Sequence, residues 1–345
     1  MIFSKGGLLY LILAVFMIGC SESELADSKG GDKWLKSYLK KEPVVRSIED
    51  LGGTYGPGLL IKTDHYDIYT TVQDVLMLRQ IPVFLENVQS EYRKISGVDS
   101  VSKNRNKIYI FETREQWESF GEYFTAELWP VYKRIEKGAY YVKGACVAYN
   151  IGRTDTFAII AHEGWHQFSH RYFKYRIPAW LDEGIAMQFE GFKKYKGRYV
   201  FSSSYNYMRM QGLKRAYEQG YKPSLVELLT ENPAVVISGQ QDDVALRVNA
   251  YYSKVYALVR FLREYNGGIY RPRLEKMIQS LQEGSWKVDD DLASLLEDRN
   301  NRLTTKINHE VGIQLFTDYY GKKLDTIEEQ FDMYCYCLVL KQLEK

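Results

Sequence analysis

The sequence has few cysteines, few histidines and no excess of either charge. Only four of its 345 residues are cysteine, five are histidine, and the formal net charge is +2. Acidic and basic residues are interspersed, so the charge balance indicates no polyanionic partner, and no nucleic-acid partner is expected. No internal repeat is evident, which excludes a repeat architecture.

The few cysteines cannot all pair with one another. Leaving aside Cys20, which is discussed next, the chain has Cys146, Cys335 and Cys337. Three is an odd number, so at least one thiol should be unpaired within a monomer. A disulfide from Cys146 to one of the other two is the alternative, but we expect free buried thiols.

The sequence also lacks an apolar run that would span a membrane comfortably. The nearest candidate, Leu8 to Ile18, follows Lys5 and has the length of a signal-peptide core. It ends in Met17-Ile18-Gly19-Cys20, which resembles a bacterial lipobox with Met17 in place of the more usual leucine. We therefore predict a signal peptide over 1–19 and lipidation of Cys20. An ordinary signal peptide or a signal anchor is the alternative.

A lipid on Cys20 would attach the protein to a membrane of the bacterial cell envelope. Serine rather than aspartate follows this cysteine, and in Gram-negative lipoproteins this indicates delivery to the outer membrane. The polar residues that follow predict a flexible tether, which we place together with the lipidated cysteine at 20–45. Which face of the membrane the protein occupies, and its oligomeric state, stay open.

The remaining 300 or so residues suffice for one large domain or two lobes. Strand-like alternation comes first and helical periodicity later, which predicts the α+β class. We expect a mixed αβ lobe with a small sheet at 46–200, followed by a mainly helical lobe at 201–345.

Local patterns predict the individual elements. One strand or a hairpin is expected at 58–72, and single strands at 107–112 and 139–151. Expected helices of the first lobe are 76–95, bent or interrupted by Pro82; one capped by Thr113; 156–172, capped by Thr154 or Asp155; and one from Ala179 to near Gly191. Later helices are expected at 204–219, 224–230, 246–265, 270–283 and 322–343, with loops at 197–204 and 232–243.

The motif His162-Glu163-Gly164-Trp165-His166 is the most informative stretch of the chain. Histidines at i and i+4 lie on one helix face, so both rings can reach one metal ion at a Zn–N distance of about 2.0–2.1 Å. Glu163 lies where it can accept a proton from a water that the metal activates. The motif is too common by chance to decide alone, and hydrogen-bonded core histidines are the alternative.

Glu183 is the best candidate for a third ligand. A turn near Pro178 would fold the second helix back against the first, and Gly184 permits close helix packing beside the ligand. His170 is the rival, but on a continuous helix it stands about 12 Å along the axis from His162. We therefore expect His170 to be exposed or to support the site from outside. Asp182 could either support a ligand or face solvent.

Together the two motifs resemble the peptidase-MA-like gluzincin families, one of them found in bacterial exported proteins. The shared pattern is HExxHQ, a short gap and P-x-W-L-x-E-G-[IL]-A, and the similarity extends from about Tyr66 to Leu338. The resemblance implies a thermolysin-like arrangement, a Zn²⁺ ion held by His162, His166 and Glu183, and Glu163 as general base.

Two further features follow from the resemblance. Gluzincins often carry an aspartate four residues after the ligand glutamate to orient a histidine, and here that position is Met187. They also use a tyrosine or histidine of the helical lobe to stabilise the oxyanion, and Tyr252 matches that residue most closely. The 139–151 strand could pair with an extended peptide.

The sequence therefore predicts a zinc-dependent metallohydrolase, specifically a peptidase acting on peptides or proteins. An amide of peptidoglycan is another substrate for the same chemistry. The alternative from a different class is a catalytically silent envelope lipoprotein that uses a gluzincin-like scaffold to bind glycan or protein. Met187 favours that alternative, whereas retention of Glu163 argues against it.

Overall fold

A computed structural model describes residues 28–99, 102, 104–135, 138–231, 244–299 and 304–343. The predicted signal peptide, Cys20 and the loop at 232–243 lie outside the described residues. Within them the architecture is α+β, as predicted: a mixed six-stranded sheet, a separate two-stranded sheet and many helices.

The large sheet carries its parallel strands in the middle. Its strands are β1 (Ser47–Leu51), β2 (Gly58–Lys62), β3 (Tyr66–Thr70), β4 (Asn106–Phe111), β5 (Ala139–Val142) and β6 (Ala145–Tyr149). Their order is β1-β2-β3-β4-β6-β5. Strand β4 runs parallel to β3 and β6, and the other neighbours are antiparallel. Strand β5 therefore forms one edge of the sheet.

Helices cross between the parallel strands. Helix α1 (Ser28–Leu39) precedes the sheet, α2 (Val75–Ser96) connects β3 to β4, and α3 (Arg114–Thr125) with the short α4 (Trp129–Tyr132) connects β4 to β5. Asp74 caps α2, and the helix continues through Pro82, whose side chain is buried. The interruption that was one of the two expectations for Pro82 does not occur, because tertiary packing of this apolar face outweighs the lost backbone hydrogen bond. Thr113 caps α3, as predicted.

Three expectations for the first lobe are wrong. The predicted tether contains α1, whose Leu39 is 1% exposed and packs against the core. The predicted strand 139–151 is a hairpin, since Lys143 and Gly144 have φ values of 50° and 78° and form the two-residue turn that strand twist favours. The predicted loop at 197–204 contains a strand of the second sheet, in which β7 (Phe192–Tyr195) pairs with β8 (Arg198–Phe201).

The motif helix α5 spans Arg153–Tyr172, and α6 spans Ala179–Ala186. Helix α5 begins after Gly152 without a side-chain cap, so the expectation of a cap at Thr154 or Asp155 is wrong. Asp155 lies in the first turn instead, where its negative charge interacts favourably with the positive end of the helix dipole. Beyond α6, a 3-10 turn at Met187–Phe189 leads into β7.

The second lobe is helical, as expected. It contains α7 (Tyr207–Glu218), α8 (Leu225–Thr230), α9 (Val244–Glu264), α10 (Arg271–Glu283), α11 (Asp290–Glu297), α12 (Thr304–Tyr320) and α13 (Leu324–Leu343). Helices α11 and α12 were not predicted. In the described part of the chain, no helix combines the length and apolar character that crossing a membrane requires.

The three described cysteines are free thiols. Cys146 and Cys335 are buried, as predicted, whereas Cys337 is exposed. The two cysteines of α13 differ because residues two apart on a helix point in different directions.

Candidate metal centre

Helices α5 and α6 bring three predicted ligands to one point. The rings of His162 and His166 have centroids 5.0 Å apart on one face of α5. Glu183 faces them from α6, with its Oε2 3.2 Å from Nε2 of His162 and its Oε1 3.8 Å from Nε2 of His166. Ligand atoms of the three residues lie within 4.8 Å of one another, a grouping that could hold a metal ion.

Close packing of α6 against α9 determines the position of Glu183. A Cβ atom on the adjacent Gly184 would lie 2.4 Å from Cγ2 of Val259 and 3.1 Å from the carbonyl oxygen of Val255. Only glycine therefore permits this approach of the two helices. At the start of α6, the backbone N–H of Ala179 donates to Oδ1 of Asn308 at 2.8 Å.

A second glycine, Gly164, permits the close approach of α2 to α5. A Cβ atom on Gly164 would lie 2.7 Å from the phenol oxygen of Tyr92. That phenol donates to the carbonyl oxygen of Ala161, inside the motif helix. Tyr92 is fully buried, so α2 supports α5 directly behind the two histidines.

The ring of His162 is held from behind by Glu190. Nδ1 of His162 lies 2.8 Å from Oε1 of Glu190. Glu190 also accepts two hydrogen bonds from Arg209, at 2.8 and 2.7 Å, and one from the side-chain amide of Asn206, at 2.9 Å. This buried ion pair orients the ring so that its Nε2 faces Glu183.

The ring of His166 is held in the same way by Asp182. Nδ1 of His166 lies 3.0 Å from Oδ2 of Asp182. The other carboxylate oxygen accepts from Nε1 of Trp165 at 2.7 Å and from the hydroxyl of Ser169 at 3.3 Å. Asp182 was expected either to support a ligand or to face solvent, and in the structure it supports His166. Carboxylates on the outer nitrogen are typical of metal-binding histidines.

Glu190 and Arg209 were missed in the sequence. The resemblance directed attention to Met187, which is fully buried and apolar. Glu190 lies seven residues after Glu183, a spacing that returns to the same helix face. That carboxylate at i+7 was the available signal, whereas nothing local indicated that Arg209 would reach it from α7.

The carboxylates dominate the electrostatics of both rings. Burial lowers the pKa of His162, but the interactions of its ring with the carboxylates of Glu183 and Glu190 outweigh burial and raise the pKa to about 10. Burial likewise lowers the pKa of His166, but Asp182 and Glu183 raise it to about 9. Without a metal, both rings are therefore imidazolium ions at neutral pH, and protons provide the positive charge that this acidic site requires.

The donor set fits a bound cation. Oε2 of Glu183 is buried, and no donor reaches it with good hydrogen-bond geometry, although Nε2 of His162 lies 3.2 Å away. An unsatisfied buried carboxylate oxygen is costly unless a cation or donor compensates it. The side chains of His162, His166 and Glu183 are 11%, 15% and 20% exposed, so all three are partly accessible to solvent.

Glu163 lies beside the three ligands and against the edge strand. Burial raises the pKa of its carboxyl above the ordinary value, whereas the neighbouring imidazoles and a hydrogen bond from the backbone N–H of Tyr141 in β5 act in the opposite direction. The net shift is upward. A base whose pKa is raised accepts a proton more readily near neutral pH.

Tyr252 approaches the same site from α9. Burial, followed by the charge of Glu183, raises its pKa well above the ordinary value, so the phenol stays protonated and can donate. The guanidinium carbon of Arg209 lies 5.4 Å from the centre of its ring. The residue that supports His162 through Glu190 thus also packs against Tyr252.

His170 stands apart from the three candidate ligands. It is exposed, as expected, and its ring centroid lies 5.5 Å from that of Tyr141. It does not belong to the group of donor atoms formed by the described residues.

Comparison with known proteins adds no information about this site. The sequence matches no protein-family model, and a search of curated proteins finds no match.

Proposed function

We propose that the protein is a zinc-dependent metallohydrolase of gluzincin type, most simply a peptidase. One observation carries the proposal: two imidazole Nε2 atoms and a glutamate carboxylate converge, while carboxylates fix both Nδ1 atoms from behind. A His₂Glu donor set with one side open is typical of catalytic zinc.

His162, His166 and Glu183 would hold the ion. Bound zinc supplies Lewis-acid chemistry, which lowers the pKa of water and polarises a carbonyl group. Glu163 accepts the proton of the attacking water and returns it to the leaving amine. Its carboxylate is suited to this task because the Tyr141 N–H orients it and burial raises its pKa.

Tyr252 is the proposed donor to the oxyanion. Its phenol is protonated at neutral pH, and it is near enough to Glu183 and Glu163 for their charges to raise its pKa. A positioned neutral donor stabilises negative charge that develops on a carbonyl oxygen.

An extended peptide or protein segment is the proposed substrate. Among the described strands, β5 has β6 as its single neighbour, so its other side is a sheet edge, and the backbone N–H of Tyr141 on that strand donates to Glu163. An extended chain that adds to this edge would pass directly beside the base. We retain attachment to the envelope membrane through Cys20 as part of the proposal.

The Glu163→Gln variant tests the mechanism. We expect it to bind zinc as the wild type does and to lose about 10²–10⁴-fold in kcat on a mixed peptide library, because it removes only the base. Glu122→Gln, an exposed charge-matched change, should leave kcat unaltered. Equal activity of Glu163→Gln and wild type would refute the mechanism, and zinc binding without any turnover by the wild type would favour the silent scaffold.

A further inference from the structure

The hairpin of β7 and β8 concentrates positive charge. Residues 192–201 contain Lys193, Lys194, Lys196 and Arg198 but no acidic residue, whereas the whole chain has a net charge of only +2. All four bases are exposed. Some exposed bases elsewhere on the surface pair with acids, as Arg46 does with Asp64 at 2.6 Å.

The three lysines of the hairpin lie near tyrosine rings. The Nζ atoms of Lys193, Lys194 and Lys196 lie 4.2, 5.7 and 5.3 Å from the ring centroids of Tyr205, Tyr199 and Tyr195. Within the described part of the chain, none of the four bases forms an ion pair with an acidic side chain. Their charge is thus available to an anionic partner.

The two faces of the hairpin differ sharply. Phe192, Tyr199 and Phe201 share one face and pack around Phe84 of α2, with ring centroids 4.9–5.6 Å from it. This contact anchors the hairpin to the αβ lobe. Because side chains alternate along a strand, Lys193 and Tyr195 of β7 lie on the opposite face, together with their partners in β8.

The outward face combines charge with exposed apolar surface. Lys193 pairs with Val200 and Tyr195 pairs with Arg198, and all four side chains are exposed. Tyr195 is 62% exposed and Val200 is 45% exposed. Beyond them, Lys196 and Gly197 form a tight turn with φ values of 47° and 80°, so the tip carries a further base.

We propose that the outward face of this hairpin binds the surface of a lipid bilayer that contains anionic phospholipids. Lysine and arginine side chains are attracted to such a surface, and tyrosine is favoured at the level of the headgroups. A bilayer requires charge and an amphipathic ring without detailed shape complementarity, and the exposed hairpin provides both in its bases and Tyr195. The proposal depends neither on zinc nor on the lipidation of Cys20.

A fluorescent label at the tip tests this contact in the full-length chain. Tyr195→Cys carries an environment-sensitive dye in a background with Cys20→Ser and Cys337→Ser, so that neither Cys20 nor the exposed Cys337 is labelled. The protein is combined with vesicles of phosphatidylcholine alone or of equal parts phosphatidylcholine and phosphatidylglycerol. We expect the emission to shift to shorter wavelength only with the anionic vesicles, and high salt to reverse the shift because it screens exposed charges.

Two controls make the result specific. The same dye on Lys322→Cys, an exposed site in the connection between α12 and α13, should show no shift. Replacing the four hairpin bases with glutamine should abolish the shift at the tip, whereas replacing Lys40, Lys41, Lys322 and Lys323, which are also exposed, should preserve it.

Three results would overturn the proposal. The first is equal emission at the tip with both vesicle types, and the second is an equal shift at the Lys322→Cys control site. The third is a shift caused by an anionic polysaccharide such as heparin but not by vesicles, which would assign the hairpin to a glycan. Circular dichroism of each variant verifies that the fold is retained.

Discussion

At the scale of single residues, the site depends on two carboxylates that contact the Nδ1 atoms of the histidines and not the Nε2 atoms proposed to bind the metal. Asp182 and Glu190 each bind the outer nitrogen of one histidine. This fixes the tautomer, because a proton on Nδ1 leaves Nε2 free to bind a metal.

Asp182→Asn should weaken zinc binding by about 10–100-fold, because the amide no longer supports His166 as a carboxylate does. Competition with a chromophoric chelator measures the dissociation constant. Asp291→Asn, an exposed change of the same kind, should leave it unaltered. Unchanged affinity in Asp182→Asn would show that the contact does not orient the ring.

Zinc binding at pH 7 should release about two protons per ion, since both rings must become neutral to bind it. The pKa values of about 10 for His162 and about 9 for His166 make both rings cationic in the metal-free protein at that pH. Affinity should therefore rise with pH, and proton release should decrease as pH approaches these values. Isothermal titration in buffers of different ionisation enthalpy measures the release, and a value of zero at pH 7 would contradict the assignment.

At the scale of elements, the position of α6 decides whether Glu183 faces the histidines. Gly184→Ala should destabilise the fold by about 1–3 kcal/mol, because its methyl group overlaps Val259 across the contact with α9. Urea denaturation measures the change. Gly52→Ala, which meets nothing within 4 Å, is the control, and equal stability of the two variants would show that α6 can move freely.

The sequence predicted elements best where local and tertiary preferences agree. The i, i+4 histidines and the return of Glu183 after Pro178 define the position of the site because helix geometry determines which residues share a face. The hairpin of β5 and β6 was mistaken for one strand, since Lys143 at its turn is not a residue that commonly adopts positive φ. Strand β8 was missed because the glycine at 197 and the serines at 202–204 suggested a loop.

Long-range contacts were beyond local patterns. Arg209 reaches Glu190 from another helix, at distances of 2.7 and 2.8 Å, and no periodicity connects them. Helix α1 has low apolar content, so its sequence gives little sign of a helix. In the structure, Leu39 at its end is buried against the core. Such elements are stabilised by packing rather than by their own propensity.

At the scale of the whole molecule, the candidate site joins the two lobes. The αβ lobe provides α5, α6 and the edge strand, whereas Arg209 and Tyr252 belong to the helical lobe. A metal ion would bind to α5 and α6, and Arg209 of α7 supports one of the histidine rings through Glu190. Metal binding would therefore stabilise the folded state in which the two lobes are in contact.

The most direct test of a metal centre compares two partly buried glutamates, Glu163 and Glu183, that play different roles. Zinc content is measured in the purified wild-type protein and in the Glu163→Ala and Glu183→Ala variants. We predict one zinc ion per chain in the wild type and in Glu163→Ala, because this residue is a base and not a ligand, and little zinc in Glu183→Ala. Absence of zinc from the wild type, or equal zinc in both variants, would contradict the account.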